Sequence, residues 1–319
     1  MLSKKKKAKL EHEQELMSES EYAIECENLV KIYKTDQIEV VALQGLDLQI
    51  KKGELVAIVG TSGSGKSTLL NMLGGLDKPS AGSLSVGGRN LLKFTEEDYM
   101  QYKRNIVGFV WQNNARNLVP YLTAVQNVEL PMLLQGKKER RQRALELLES
   151  VGLSNRINSR LDQMSGGEQQ RVAIAISLAN NPSILLADEP TGSVDTKTSD
   201  QLLEVFKEIN QKRGVTVVIV TQDLRLAKKI DRVISIRDGR TSTEIIKKSH
   251  AEIMQESQGW DTSSEDAGEE YSEELVVLDR TGRMQIPKEY MEALDIKGGS
   301  KVKADLDLSE QRIYIHKAQ

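Results

Sequence analysis

Cysteine and histidine are scarce in this sequence. Its 319 residues include one cysteine, Cys26, and three histidines that lie far apart in the chain. One cysteine cannot form an internal disulfide, and scattered histidines offer no Cys/His zinc cluster. The composition therefore excludes a disulfide-built or zinc-built fold and favours a reducing compartment.

Long apolar runs and a surplus of charge are also missing. Apolar stretches such as residues 215–220 are far shorter than the roughly 20 residues that span a bilayer. The formal net charge is -3, so the chain has no basic field of the kind that attracts nucleic acid. The lysines at residues 4–7 are followed by polar residues and not by the apolar stretch of a secretory signal. We expect a cytoplasmic chain without transmembrane segments, and nucleic acid is not an indicated partner.

The composition divides the chain into four segments. Residues 1–21 are rich in charged and polar side chains and are predicted to be a disordered tail. In residues 22–247 short β-branched runs alternate with helical stretches, which indicates an α/β domain with a mainly parallel sheet. Residues 248–273 contain a strongly acidic run and are predicted to be an extended linker. Residues 274–319 regain strand-like runs and turns, which indicates a small second module.

A glycine-rich loop follows the first buried strand-like run. Leu55–Val59 leads into the loop GTSGSGKS, and a helical stretch follows. Strand, loop and helix in this order are the context of a P-loop, whose backbone N–H groups and helix N-terminus bind phosphate oxygens. Lys66 is predicted to bind the β- and γ-phosphate oxygens of ATP, and the Ser67 hydroxyl to bind Mg²⁺. The predicted nucleotide-binding residues of this motif are Gly60, Ser62, Gly63, Ser64, Gly65, Lys66, Ser67 and Thr68.

Two adjacent carboxylates end another buried run. Residues 183–187 lead into Asp188 and Glu189, which should lie at the sheet edge where α/β proteins bind ligands. Asp188 is predicted to hold Mg²⁺, and Glu189 to polarise the water that attacks the γ-phosphoryl group. Together the two motifs predict hydrolysis of Mg-ATP by a P-loop NTPase.

Between these motifs, residues 164–171 read MSGGEQQR, which resembles the signature sequence of ABC ATPases. The resemblance implies a RecA-like core with a helical subdomain and an antiparallel β subdomain. It also implies that the signature of one subunit caps the γ-phosphate on the P-loop of another, in a homodimer or heterodimer. Ser165, Gly166, Gly167 and Glu168 match that role. A Ser-Gly-Gly turn that opens a helix suits it, because backbone donors and the positive helix end attract phosphate.

The resemblance covers residues 24–245 and assigns three more positions. It implies that Tyr33 stacks on adenine, that Gln112 senses Mg²⁺ and meets the membrane subunit, and that Asp195 belongs to the D-loop. Stretches such as residues 69–82 are similar to the ATPases of lipoprotein-release and macrolide-export systems. The implied partners are separate transmembrane permease subunits, with the chain peripheral on the inner face of the cell membrane.

One position departs from the family's pattern. The family carries Thr-His-Asp after the strand-like run at residues 215–220, whereas this chain has Thr221, Gln222 and Asp223. Gln222 can donate a neutral hydrogen bond to phosphate but cannot become cationic. We therefore expect slow intrinsic turnover. The alternative is that Glu189 suffices and Gln222 is a tolerated replacement.

The C-terminal residues 274–319 resemble a second family. Their R-x-G-R-x-x-I-P core and strand-helix-strand order resemble the AbrB/SpoVT swapped-hairpin module, in which two chains form one β-barrel. A segment this short scarcely buries a stable core alone, which independently favours dimerisation. Many relatives of the module bind DNA, so Arg280, Arg283 and Lys288 could grip phosphates, but acidic residues balance the basic ones here.

Two other functions stay open at this point. The chain could be an ATP-gated regulatory protein with weak hydrolysis, which Gln222 favours and Glu189 opposes. It could also be an ABC protein that acts on DNA or ribosomes. That class typically carries a long coiled-coil insertion or two cassettes in tandem, and the sequence has neither.

Overall fold

The structure is a computed structural model. It describes residues 20–34, 38–112, 118–247, 272–279, 282–297, 300–307 and 312–317. The predicted tail and linker therefore lie almost wholly outside the described residues. Within the described ranges the chain forms three sheets.

An antiparallel sheet contains the first two long strands. β1 (Tyr22–Lys34) pairs with β2 (Glu39–Lys51), and β4 (Ala81–Val86) and β5 (Arg89–Asn90) complete the order β2-β1-β4-β5. Register shifts along β1 and β2 mark bulges, which bend a strand and increase its twist. This sheet is the antiparallel β subdomain that the resemblance implied.

A seven-stranded sheet forms the centre of the molecule, in the order β11-β10-β9-β3-β8-β7-β6. Its first six strands in chain order are β3 (Leu55–Val59), β6 (Val107–Val110), β7 (Ile184–Asp188), β8 (Thr216–Thr221), β9 (Arg232–Arg237) and β10 (Arg240–Lys247). The five strands from β9 to β6 in this order are parallel. Because β3, β7 and β8 are almost wholly buried, their sequences read as nearly continuous apolar runs, as predicted.

Helices connect the strands of the central sheet. They are α1 (Lys66–Leu73), α2 (Glu96–Asn105), α3 (Ala124–Leu134), α4 (Arg140–Ser150), α5 (Gly166–Ser177), α6 (Thr196–Arg213) and α7 (Leu224–Ala227). Thr95, Thr123 and Ser165 start α2, α3 and α5 with capping boxes, which satisfy N–H groups that a helix leaves unpaired. None of the helices in the described ranges combines the length and apolar composition needed to cross a bilayer.

Two hydrophobic clusters lie on opposite faces of the central sheet. On β3, Ala57 and Val59 join one cluster, whereas Val56 and Ile58 join the other. This alternation follows from the strand period of two, which sends successive side chains to opposite faces. Helices α3 to α6 contribute to the first cluster, and α1 with the antiparallel sheet contributes to the second. The layered α/β architecture around a P-loop confirms the α/β P-loop part of the predicted fold class.

The beginning of the C-terminal segment differs from the prediction. β11 (Ser272–Val276) pairs antiparallel with β10 at the edge of the central sheet, so Ser272 and Glu273 lie in a strand and not in the predicted linker. Farther along, Arg240 of β10 forms an ion pair with Asp279 at 2.8 Å. The first strand-like run of the predicted separate module therefore belongs to the main sheet, because an edge strand with open hydrogen-bonding groups accepts it.

The rest of the C-terminal segment contains a helix and a hairpin. α8 (Lys288–Ala293) begins after Pro287, as predicted, and β12 (Val302–Asp307) pairs with β13 (Arg312–Lys317). Within the described residues these two strands pair only with each other and close no barrel. The swapped-hairpin barrel, which requires a second chain, stays a prediction. Arg280 lies outside the described residues.

Candidate nucleotide-binding and hydrolysis site

The glycine-rich loop joins β3 to α1. Gly63 and Gly65 have φ angles of 79° and 102°, which favour glycine. A Cβ on Gly65 would lie 2.6 Å from Ala42 O, so a larger residue would not fit there. The Ser64 N–H donates to Thr61 O at 3.2 Å and closes the turn. The loop therefore has the tight, glycine-dependent backbone that a phosphate cradle requires.

Lys66 is held inside this loop. Its Nζ donates to Gly60 O and Thr61 O at 2.8 Å each, and the residue is buried. Burial lowers the pKa of Lys66, while the charges of Glu189 and Asp188 act in the opposite direction. A cation between a phosphate cradle and two carboxylates is well placed to move its hydrogen bonds to phosphate oxygens.

Ser67 and Asp188 come together although 121 residues separate them. The Ser67 hydroxyl donates to Asp188 Oδ1 at 3.3 Å. A hydroxyl and a carboxylate are hard oxygen ligands of the kind that Mg²⁺ binds. The chemistry of this pair fits the metal predicted for it.

Glu189 has a positive φ angle of 46°, which is uncommon for a residue with a side chain. Its N–H donates to Val220 O at 2.9 Å, and its Oε2 accepts from the Gln222 N–H at 3.4 Å. The predicted base and the switch position are therefore direct neighbours. The side chain of Gln222 is exposed beside them.

Gln112 lies next to the same turn. A Cβ on Gly192 would be 3.5 Å from Gln112 Nε2 and 3.4 Å from Glu189 O. The reason is topological, because β6 runs parallel to β7 and both strands end at one sheet edge. The predicted Mg²⁺-sensing amide thus lies beside the turn after β7 that contains Glu189 and Gly192.

The signature residues form the start of α5. The Ser165 hydroxyl accepts from the Glu168 N–H at 3.3 Å, and Glu168 Oε2 accepts from the Ser165 N–H at 2.8 Å. The backbone hydrogen bond from Ser165, followed by a hydrogen bond from Arg156, lowers the pKa of Glu168. Ser165 and Gly166 are exposed, and the first N–H groups of a helix have no partner within it.

Asp195 of the predicted D-loop is the N-cap of α6. It accepts hydrogen bonds from the N–H of Thr198 at 3.0 Å and from its hydroxyl at 2.6 Å, which lower the pKa of Asp195. Gly167 packs against Thr198 so closely that a Cβ at residue 167 would collide with it. The signature helix and the D-loop helix therefore meet directly.

Tyr33 lies near the end of β1 and is 40% exposed. Its hydroxyl donates to Asp77 Oδ2 at 2.7 Å, and Lys31 Nζ lies 4.8 Å from the ring centroid. Burial and then the hydrogen bond to Asp77 raise the pKa of Tyr33, whereas a hydrogen bond with Thr68 lowers it. Lys31 and Asp77 were not predicted from the sequence, and no local motif marks them, because they are 46 residues apart.

The structure brings some of the predicted residues together and keeps others apart. Lys66, Ser67, Asp188 and Glu189 meet at one edge of the central sheet. In the described part of the chain no hydrogen bond links the signature residues 165–168 to the P-loop. The structure thus groups the P-loop with the carboxylate pair and leaves the signature residues outside that group of contacts.

Known proteins are similar in sequence to this chain. The sequence model of the ABC transporter family matches residues 43–192. An uncharacterized ABC transporter ATP-binding protein of Thermotoga maritima is 47% identical over 212 residues, which are 66% of this chain and 89% of that protein. The uncharacterized protein MJ0796 of Methanocaldococcus jannaschii is 44% identical over 227 residues, 69% of this chain and 96% of its own. YvrO of Bacillus subtilis is 47% identical over 214 residues, 66% of this chain and 92% of its own.

Two solved structures share the fold. The dimeric structure of MJ0796 in a post-hydrolysis state, bound to ADP and Pi, has a TM-score of 0.63 at 42% identity and covers 69% of this chain and 97% of its own. The structure of cbiO1 from Clostridium perfringens, part of the transporter complex cbiONQ, has a TM-score of 0.65 at 27% identity and covers 70% of this chain and 88% of its own.

A P-loop, a carboxylate pair and a signature helix on this fold define an ABC-type ATPase. The chain belongs to the family of ABC transporter ATP-binding proteins.

Proposed function

We propose that this chain is the motor subunit of a membrane transport or mechanotransmission complex. Two such subunits, either two copies or one copy with a related chain, would each place a P-loop against the partner's signature. The observation that carries this proposal is that the P-loop contacts the carboxylate pair, whereas no hydrogen bond in the described part of the chain links it to the signature residues 165–168. The dimeric structure of MJ0796 with ADP and Pi supports it.

The P-loop residues bind the phosphates of ATP. Lys66 moves its hydrogen bonds from Gly60 O and Thr61 O to oxygens of the β- and γ-phosphates. The remaining phosphate oxygens are surrounded by the other residues of the loop and the start of α1, which are Ser62, Gly63, Ser64, Gly65 and Thr68. The Ser67 hydroxyl and the Asp188 carboxylate would hold Mg²⁺, which would supply positive charge against the phosphates.

Glu189 is the proposed base. It accepts the proton of the water that attacks the γ-phosphorus, while the bond to the β-phosphate oxygen breaks and ADP leaves. Gln112 and Gln222 flank the attacked group as neutral hydrogen-bond donors, since both lie beside Glu189. The site of the opposite subunit is completed by the signature residues and the D-loop, which are Ser165, Gly166, Gly167, Glu168 and the loop at Asp195.

A surface next to Gln112 supports the coupling to membrane subunits. A cavity of about 280 Å³ lies beside the end of β6, and its lining includes Leu76, Phe109, Trp111 and Pro131. Apolar side chains at a cavity mouth suit a helix from another protein. Movement of this surface as the two ATPases close would transmit force to separate permease subunits. The chain would then be peripheral on the cytoplasmic face of the membrane, and the systems that release lipoproteins or export macrolides are its proposed subclass.

The C-terminal hairpin supports a second site of dimerisation. Leu306 and Ile313 face each other across β12 and β13, and their side chains are 65% and 68% exposed. The alternation along β12 places Val302 on the same face, where it is also exposed. A small hairpin with an apolar face needs a partner to cover it. We propose that this partner is the hairpin of a second copy, as in an AbrB/SpoVT-like module.

The alternative is an ATP-gated regulatory or DNA-associated protein with weak hydrolysis, which the exposed glutamine at position 222 favours. The deciding experiment is to purify the tagged full chain from gently solubilised native membranes and identify its partners by mass spectrometry. A stoichiometric polytopic membrane protein is the expected result. Recovery of soluble chain alone, or of bound DNA, would overturn the proposal in favour of the regulatory reading.

A further inference from the structure

The segment between α1 and β4, residues 74–80, is hydrogen-bonded to the end of β1. Lys31 Nζ donates to Asp77 Oδ1 at 2.6 Å and to Lys78 O at 2.8 Å. One residue farther along β1, the Ile32 N–H donates to Ser80 Oγ at 2.9 Å. Because the segment follows α1, the helix that begins at the P-loop, these bonds connect the end of β1 to the phosphate-binding element.

Within this contact, Asp77 is the common partner of two side chains. Its Oδ1 accepts from Lys31, and its Oδ2 accepts from the Tyr33 hydroxyl at 2.7 Å. The side chain of Lys31 is only 12% exposed, so its charge depends on Asp77 for compensation. Although burial acts against it, hydrogen bonds from Lys31 and then Tyr33 hold the pKa of Asp77 below its usual value.

Two contacts orient the Tyr33 ring, one at its hydroxyl and one over a ring face. The hydroxyl is bound to Asp77, and the Lys31 ammonium lies 4.8 Å from the ring centroid, within the range of a cation–π interaction. Since the cation covers one face of the ring, the opposite face is the one that a nucleotide base can stack on. A ring that is already oriented loses less conformational freedom when a ligand binds.

We propose that Asp77 and Lys31 are positioning residues that orient the Tyr33 ring for the adenine base. This inference rests on the proposed function, together with the stacking of Tyr33 on adenine that the resemblance to ABC ATPases implies. Asp77 and Lys31 are not among the predicted phosphate-binding residues, and their side-chain hydrogen bonds within the described residues go to Tyr33, Lys78 and each other. They act on the base through Tyr33. They should therefore affect the affinity for a ligand that has the adenine base, and not the affinity for a ligand that has only the phosphates.

The test compares two ligands of the full-length chain by calorimetry: ATP, and inorganic tripolyphosphate, which has phosphates but no base. Asp77→Ala is expected to weaken ATP binding about threefold to tenfold, the range of one ordinary net hydrogen bond. It should leave tripolyphosphate binding unchanged. Lys31→Met should act in the same direction. The matched control is Glu39→Gln. Glu39 pairs with Lys34 on the same hairpin, but its side chain is 52% exposed and its Oε2 lies 3.7 Å from Lys34 Nζ. This substitution should change the affinity for neither ligand.

A double-mutant cycle separates positioning from general damage. Tyr33→Phe removes the hydroxyl bond, so its effect and that of Asp77→Ala should not add when the two are combined. If Asp77→Ala prevents folding, Asp77→Asn serves instead, since it keeps the shape and loses the charge. Equal weakening of both ligands, additive effects, or an unchanged ATP affinity would each overturn the inference.

The substitution Tyr33→Ala distinguishes this inference from the proposed function. If it leaves ATP affinity unchanged, the stacking role of Tyr33 is wrong. If it weakens ATP binding while Asp77→Ala and Lys31→Met do not, stacking stands and only the positioning by Asp77 and Lys31 is wrong.

Discussion

Glu189 joins an unusual backbone conformation to a functional carboxylate. A positive φ in a residue with a side chain costs free energy, and such strain often accompanies functional sites. Here it turns the chain sharply after β7, so that the side chain reaches the Gln222 N–H while the Glu189 N–H still bonds to β8. The conformation therefore aims the proposed base at the switch position.

Glu189→Gln tests the base. The amide has nearly the same shape but cannot accept a proton from water, so we expect the turnover number to fall about 100-fold or more. ATP affinity should persist, since Lys66 and the loop are unchanged. Phosphate release and ATP binding, measured on the same preparation, check this. Asp188→Asn is the comparison, because it should lower Mg²⁺-dependent binding as well. Normal turnover in Glu189→Gln would show that another group is the base.

Gln222→His tests whether the missing histidine limits turnover. The Gln222 backbone N–H, and not its exposed side chain, bonds to Glu189, so the exchange should leave the local fold intact. We expect several-fold faster ATP turnover. A cationic imidazole is the stabilising form, so the gain should shrink as the pH rises through the imidazole pKa of about 6.5. Gln222→Ala serves as the control for loss of the neutral donor. No gain, or a loss, in Gln222→His would mean that Gln222 is simply tolerated.

The residues of the phosphate site could be predicted because each motif is contiguous in the sequence. The loop around Lys66, the Asp188–Glu189 pair and the Ser165 turn each carry their chemistry in a few neighbouring residues. Asp77 could not be predicted, since its role depends on a strand end 44 residues away. Contacts of this kind arise from the arrangement of β1 against the α1 segment, which no local pattern encodes.

At the scale of elements, the turn between β9 and β10 supports the P-loop from outside. The Gly239 N–H donates to Ser64 O at 3.1 Å, and its carbonyl accepts from the Gln44 N–H at 2.9 Å. Gly239 thereby links the phosphate loop to β2. Its φ of 71° and its close neighbours leave no room for a side chain.

Gly239→Ala should loosen that support. The new Cβ would lie 2.7 Å from Ala42 O and 2.9 Å from Leu43 Cα, which are backbone atoms that cannot move aside easily. We expect the free energy of unfolding to fall by about 2–4 kcal/mol and ATP affinity to fall several-fold. Urea unfolding and fluorescent-nucleotide binding measure the two effects.

Gly136→Ala is the matched control for that change. Gly136 has a φ of 72°, but a Cβ there would meet nothing within 4 Å. It should therefore show only the backbone strain, about 1–2 kcal/mol, with ATP affinity unchanged. Equal effects of the two substitutions would mean that the contacts of Gly239 with β2 and the P-loop do not matter.

The elements themselves were predictable where one strand or helix carries a strong pattern, as in β3 and α5. β11 was assigned wrongly because its pairing with β10 is a long-range choice. Glu273 was predicted to end the acidic linker and Glu274 to begin a separate module, yet they pair with Ile246 and Ile245 at the sheet edge. Strand pairing depends on which edge is open, and the sequence of the strand alone does not state it.

At the scale of the whole molecule, the proposed function gives the chain two surfaces that would contact a second subunit. One is the proposed ATP-dependent contact between P-loop and signature, and the other is the apolar face of the β12–β13 hairpin. The first should open and close with each cycle of hydrolysis. The second carries no nucleotide-binding residue, so it should hold two chains together throughout the cycle and raise their effective concentration.

A chain that ends at residue 257 separates these two surfaces. Without ATP, we expect the full chain to be dimeric and the truncated chain to be monomeric in sedimentation experiments. Since truncation also removes β11 from the central sheet, Leu306→Ser with Ile313→Ser is the cleaner variant, because it keeps β11 and should also be monomeric. With ATP, the truncated chain carrying Glu189→Gln should dimerise again, because its P-loop and signature are intact. A truncated chain that is as dimeric without ATP as the full chain would show that the hairpin does not tether the two subunits.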